Sequence, residues 1–296
     1  MSVNRDKKVI KAIEFGEKTF ESKEALFSAL KKNEAKLISL KKSQVYKSHE
    51  KGQLNFLNLD KFNGTVKGIE SAKEGYIYPI ISTVNYLDSH GDVHLKGSMN
   101  KTAKEQHGKV VYALDHKLQF DNIIAWQKDV NMFITNIDWT LVGKNYAGTT
   151  EALVFEINKE SISRKDVLNA IENKVSDFEN SIRMVYHKIS LAIDSNEKEH
   201  AENKTYFDAR INEIANKEAA IEQGYFWGIE ELAIHKEGSL VVAGGSNDAT
   251  SIYAKEIEAA FSTSKEEEPL LSTQEKLNNE ALEAERNLKN TYLKRI

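Results

Sequence analysis

The chain has 296 residues, 40% hydrophobic and 29% charged, with a formal net charge of −4 and no cysteine. That length suffices for a sizeable core, and the composition reads as a soluble globular protein with charged helical extensions. The charge argues against a basic nucleic-acid surface, and the missing cysteines exclude disulfide scaffolds, thiolate zinc sites and a cysteine nucleophile. No run approaches the about 18 apolar residues of a membrane span, and MSVNRDKKVIKAIEF does not read as a signal peptide.

In chain order, residues 22–43 predict a helix with Ser22 as N-cap and Leu26, Leu30, Leu37 and Leu40 near helical spacing. Residues 44–73 are polar and glycine-bearing, and read as a linker. From Tyr76 the chain turns β-branched and aromatic. YIYPIISTVNYLD, KVVYALD (109–115), NIIAW (122–126), NMFITNIDW (131–139) and EALVFEI (151–157) are strand candidates. SISRKDVLNAIENK predicts a helix, with Ser163 and Asp166 resembling a capping box. IRMVYHKISLAID (182–194) predicts a long strand, 196–223 a charged helical stretch with Phe207, Ile211 and Ile214 on one face, and FWGIEELAIHK and SLVVAGG two further strands. A short helix is expected from Ile252 to Phe261. After the charged break SKEEEP (264–269), Ser272 and Glu275 form a capping box, and Leu277, Ala281, Ala284, Leu288 and Tyr292 a narrow apolar stripe for a tail helix. The division is therefore 1–73 helical extension and linker, 74–263 core, 264–296 tail helix. Strands do not alternate regularly with crossover helices, so an α+β fold with an antiparallel sheet or barrel and flanking helices is expected.

Asp88, His90, Asp92 and His94 sit two apart in YLDSHGDVHLKG. On one straight strand all four would share a face, which suits a metal. Gly91 in their midst, and the turn chemistry of D-S-H-G-D, favour a structural turn instead. His116, after Asp115 at the end of an apolar strand, stands where a general base is often found. Ser181 opens a long strand, and a hydroxyl there needs a nearby base to act as a nucleophile. His235 and Glu237, two apart on a predicted strand, face one side, and either could orient a histidine.

Four segments in order, NYLDSHGDVHLKGSM, YALDHK, NSIRMVYHKISLAI and QGYFWGIEELAIHKEGSLVVAGGSN, resemble the prohead serine proteases of tailed bacteriophages, a family akin to herpesvirus assemblin. The likeness covers about residues 76–250. It implies a closed or nearly closed antiparallel β-barrel flanked by helices. It also implies His116 as general base, Ser181 as nucleophile and Glu237 as the acid orienting His116, with His235 the alternative because the herpesvirus relatives use a second histidine. It implies no cofactor and no metal, and makes Asp88 to Asp92 a turn beside the site. The family usually has glycine two residues after the serine; here Arg183 stands there, and it could crowd the nucleophile, support an oxyanion, or mark an inactive scaffold or internal head protein with the same fold. The later family text of proline, alanine and asparagine reads Gly244, Gly245, Ser246, Asn247. The implied activity is capsid maturation in an assembling prohead in the host cytoplasm. The implied partners are the major capsid protein and scaffold protein, with a homodimer allowed and neither nucleic acid nor membrane involved. Self-cleavage is expected in the linker at 44–73 or near Lys265.

Overall fold

The structure, a computed structural model, describes residues 9–44, 69–176, 178–242 and 245–254. The linker from residue 45 to 68, Gly244, most of the helix expected up to Phe261, the break near Lys265 and the tail helix lie outside them.

The described residues form an α+β fold with three sheets, none closed into a barrel. A two-stranded ribbon joins β1 (Ile10–Lys11) and β2 (Thr19–Phe20), followed by helix α1 (Lys23–Ser43). One antiparallel sheet has the order β11 (Ser251–Tyr253), β3 (Tyr76–Thr83), β8 (Thr149–Asn158), β7 (Asn131–Asp138). The other is mixed and built on β10 (Tyr225–Val241). Strand β9 (Glu179–Ile193) runs antiparallel along one edge of β10. On the opposite edge β4 (Asp92–His94) and β5 (Val111–Leu114) pair parallel to successive halves of β10, and β6 (Ile123–Ala125) pairs with β5. The closed antiparallel barrel is therefore corrected. Two ladders are parallel, and the outer strands β6 and β9 form no closing ladder among the described residues.

The sheets pack where Gly238 of β10 faces the other sheet. A Cβ there would stand 2.8 Å from the Phe155 ring and 3.3 Å from Ile81. Tyr112 meets Phe155 edge to face. Helices α2 (Asn100–Glu105), α3 (Lys165–Glu172), α4 (Ala201–Arg210) and α5 (Lys217–Gln223) cover the margins. No helix among the described residues is long and apolar enough to cross a membrane.

Several local expectations change. The two strands expected from FWGIEELAIHK and SLVVAGG are one, because β10 absorbs the polar H-K-E stretch as a bulge: Ile234 pairs with Met184 but Gly238 with Ile182. Ser163 does not cap α3. Arg164 is the N-cap residue, and its guanidinium pairs with Asp166 through two hydrogen bonds, so that carboxylate does not complete a capping box. Ile252 and Tyr253 lie in a strand, held by pairing with Pro79 and Tyr78.

Ser22 does cap α1, its Oγ accepting from the Ala25 N–H at 3.1 Å. The buried line of α1 is Leu26, Leu30, Leu37 and Lys41, whereas Leu40 is exposed. Steps of four, seven and four from Leu26 lead through 30 and 37 to 41, so a lysine takes the place expected for leucine. Its Nζ reaches Asp92 Oδ1 at 2.5 Å, and Tyr186 of β9 donates to Asp92 Oδ2 at 2.8 Å. Helix α1 is thus docked on the core through a buried ion pair. Removing one partner strands the other charge. Lys41→Met should lower unfolding free energy by about 3–5 kcal/mol, read by urea denaturation, and adding Asp92→Asn should recover part of that loss.

Candidate active site

Strand β5 carries the chain toward its end at Leu114, where the backbone reverses. Asp115 and His116 both adopt left-handed φ, 51° and 55°. Such values are uncommon for residues with a Cβ, although aspartate and histidine tolerate them better than most. The Asp115 N–H donates to Leu240 O at 3.0 Å and that of Lys117 to Leu114 O at 3.0 Å, so the turn is fastened on both sides. The reversal brings the His116 ring back onto the sheet rather than letting it leave with the loop.

Across the ladder, Ser181 of β9 is paired with Ser239 of β10. Directly opposed residues of an antiparallel pair share a face. The preceding Asn180 is tied down: it accepts from Tyr112 OH at 2.7 Å, and its side-chain amide donates to Ser251 O at 2.7 Å. The nucleophile candidate therefore sits on a fixed main chain.

The three residues meet. Ser181 Oγ lies 2.8 Å from His116 Nε2, and Glu237 Oε1 lies 2.8 Å from His116 Nδ1. Relative exposures are 4% for Ser181, 5% for His116 and 0% for Glu237. An ionised carboxylate only accepts, so Nδ1 carries the proton and Nε2 presents its lone pair to the serine hydroxyl. Ser239 completes the frame. Its hydroxyl donates to Glu237 Oε2 at 2.5 Å and accepts the His116 main-chain N–H at 3.1 Å.

The bulge in β10 explains why Glu237 and His235 part ways. Lys236 adopts φ 72°, which breaks the alternation that would put positions 235 and 237 on one side. Glu237 turns inward to His116, while His235 is half-buried and holds neither ring nitrogen of His116. Arg183 lies opposite the bulge. Its NH2 donates to the His116 carbonyl at 2.9 Å, and its Nε stands 3.1 Å from Glu237 Oε1 as an ion pair that is not aligned for a hydrogen bond. These contacts put its guanidinium at the acid end of the site.

Asp88 to Gly91 form a turn that leads into β4. Asp88 Oδ1 accepts the N–H groups of His90 and Asp92 at 2.8 and 2.9 Å, and Gly91 takes φ 71°. Asp92 is engaged by Lys41 and Tyr186, and His94 Nδ1 lies 3.1 Å from Ser82 Oγ. No group of three metal-ligating side chains is assembled among the described residues. Burial, and then the neighbouring Asp92 charge, push the Asp88 carboxyl well above the usual carboxylate range, and burial lowers the His94 imidazole to about 4.

Sequence reasoning did not assign Ser239 a role. The E-G-S spacing was the available signal, since strand alternation aims Glu237 and Ser239 the same way. Comparison of the chain with protein-family models, with curated proteins and with solved structures yields no match.

An acid whose carboxyl is raised on folding adds stability below its ordinary range and loses it as pH rises. His94, lowered on folding, acts in the opposite sense, gaining as pH rises, and is common to both proteins in a comparison. Asp88→Asn keeps the oxygen that accepts the two turn N–H groups. Its melting temperature relative to wild type should therefore climb steadily from pH 4 toward 8, measured by thermal unfolding at fixed ionic strength; a constant offset would contradict the assignment.

Proposed function

We propose that the chain is a serine endopeptidase of the prohead-maturation kind. The observation that carries this reading is the Ser181–His116–Glu237 relay, with both links at 2.8 Å and all three residues buried. Ser181 Oγ attacks a peptide carbonyl as His116 Nε2 takes its proton. His116 returns that proton to the leaving amine, and water repeats the sequence to free the acyl group. Glu237 holds the tautomer and balances the imidazolium. The relay needs no cofactor. A peptide laid along an exposed strand edge is the natural mode of engagement for such a sheet.

The order of the four motifs supplies the substrates: the scaffold and the N-terminal part of the major capsid protein, cut inside the assembling prohead in the host cytoplasm, followed by self-cleavage. The contacts of Arg183 favour a working site over an inactive relative with the same fold, because its guanidinium is directed to the acid rather than across the serine.

The test is intact mass after co-expression with the neighbouring capsid and scaffold proteins. Wild type should shorten the capsid protein and itself, and Ser181→Ala should leave every mass full-length. Identical uncut masses in assembled shells would mark the chain as a structural head protein. In the same assay Glu237→Gln should slow cleavage by about 10²–10⁴-fold, while His235→Gln stays near wild type.

A further inference from the structure

We propose that Arg183 is a positioning residue that keeps Glu237 ionised and aligned on His116. The inference rests on the serine endopeptidase reading and deepens it.

Glu237 is completely buried, and a carboxylate in that setting stays charged only with a cation and hydrogen bonds around it. Ser239 gives one hydrogen bond to Oε2 and His116 one to Oε1. Neither brings charge in the resting relay, since His116 must keep a lone pair for Ser181. Among the described residues Arg183 is the permanent cation within ion-pair distance, 3.1 Å from Oε1. Its NH2 also holds the His116 carbonyl at 2.9 Å, so one guanidinium touches the head of the acid and the main chain of the base.

The register explains how it gets there. β10 takes four steps from Ile234 to Gly238 while β9 takes two from Met184 to Ile182. Arg183 is the β9 residue facing that excess, and the bulge is what turns Glu237 toward the base. A glycine at 183 would leave the bulge and the acid without this partner.

Loss of the charge has a specific chemical consequence. A protonated Glu237 can donate to Nδ1, which moves the ring proton to Nε2 and removes the lone pair that receives the serine proton. The charge of Arg183 therefore acts on the base through Glu237, beside its direct hold on the His116 carbonyl.

A fluorophosphonate probe measures this without knowledge of the natural substrate. Ser181 Oγ forms a bond to phosphorus, the P–F bond breaks, fluoride leaves, and His116 accepts the serine proton. Labelling rates on the full chain are compared for wild type, Ser181→Ala, Arg183→Met, Arg183→Lys, Glu237→Gln and the Arg183→Met/Glu237→Gln pair. Arg183→Met should lower the saturating rate by about 10²-fold with the half-saturating probe concentration unchanged, and Arg183→Lys should restore part of it. The double variant should label no more slowly than Glu237→Gln alone. Arg183→Gln gives the same reading if the methionine variant does not fold. Wild-type rates in the Arg183 variants, or losses that multiply in the double variant, would overturn the role. Wild type labelling no faster than Ser181→Ala would instead overturn the endopeptidase reading itself.

Discussion

The buried carboxylate of Glu237 is the constraint around which the site is arranged. A charge removed from water costs several kcal/mol unless its partners are close and well placed. Here the partners come from three separate parts of the chain: the turn after β5, the start of β9, and β10 itself. His116 takes Oε1, Ser239 takes Oε2, and Arg183 adds charge beside Oε1. Satisfying one carboxylate thereby sets the distance between the two strands and the turn, and that distance delivers the His116 ring to Ser181. The left-handed backbone at Asp115 and His116 is tolerable because the neighbouring hydrogen bonds over-determine it.

A second buried carboxylate follows the same physics to a different end. Asp92 is held by Lys41 and Tyr186, and the result is the docking of α1 rather than chemistry. What separates the two clusters is the company kept by the histidine. His116 stands between an acid and a serine hydroxyl, with its two ring nitrogens both engaged. His94 meets Ser82 through Nδ1 and the Tyr186 ring edge to face, and its Nε2 has no hydrogen-bond partner among the described residues. A buried His–Ser contact without an acid on the far nitrogen cannot fix a tautomer, so His94 does not repeat the arrangement at His116.

The local chemistry of these segments was legible in the sequence where it depended on neighbours in the chain. Ser22 as a cap, the turn at Gly91, and the long strand carrying Ser181 all follow from short-range rules. His116, Ser181 and Glu237 could be singled out, but periodicity alone could not say that they meet. The bulge in β10 is not legible, because H-K-E looks like any polar interruption and reads as a break between two strands. Unbroken alternation from 235 to 237 is what makes His235 and Glu237 look equivalent in the sequence, and the left-handed Lys236 removes it. The parallel ladders to β4 and β5 were equally hidden, since they join segments more than a hundred residues apart, and with them went the expectation of a closed barrel.

The β9–β10 ladder connects these observations. It runs from Tyr225 opposite Ile193 to Val241 opposite Glu179. Tyr186, which holds Asp92, is paired with Leu232. Arg183 faces the bulge, and Ser181 faces Ser239. Both buried carboxylates are therefore contacted by side chains of one strand, β9, within a few residues of each other. A slip of one residue in that strand would invert every side chain between Ser181 and Tyr186, and both acids would lose a partner at once. Register errors in this ladder are thus opposed by two separated electrostatic penalties as well as by the apolar face. The bulge can persist because the ladder is pinned on either side of it, and this lets the β9–β10 pair hold an irregular, charged segment in place beside Ser181.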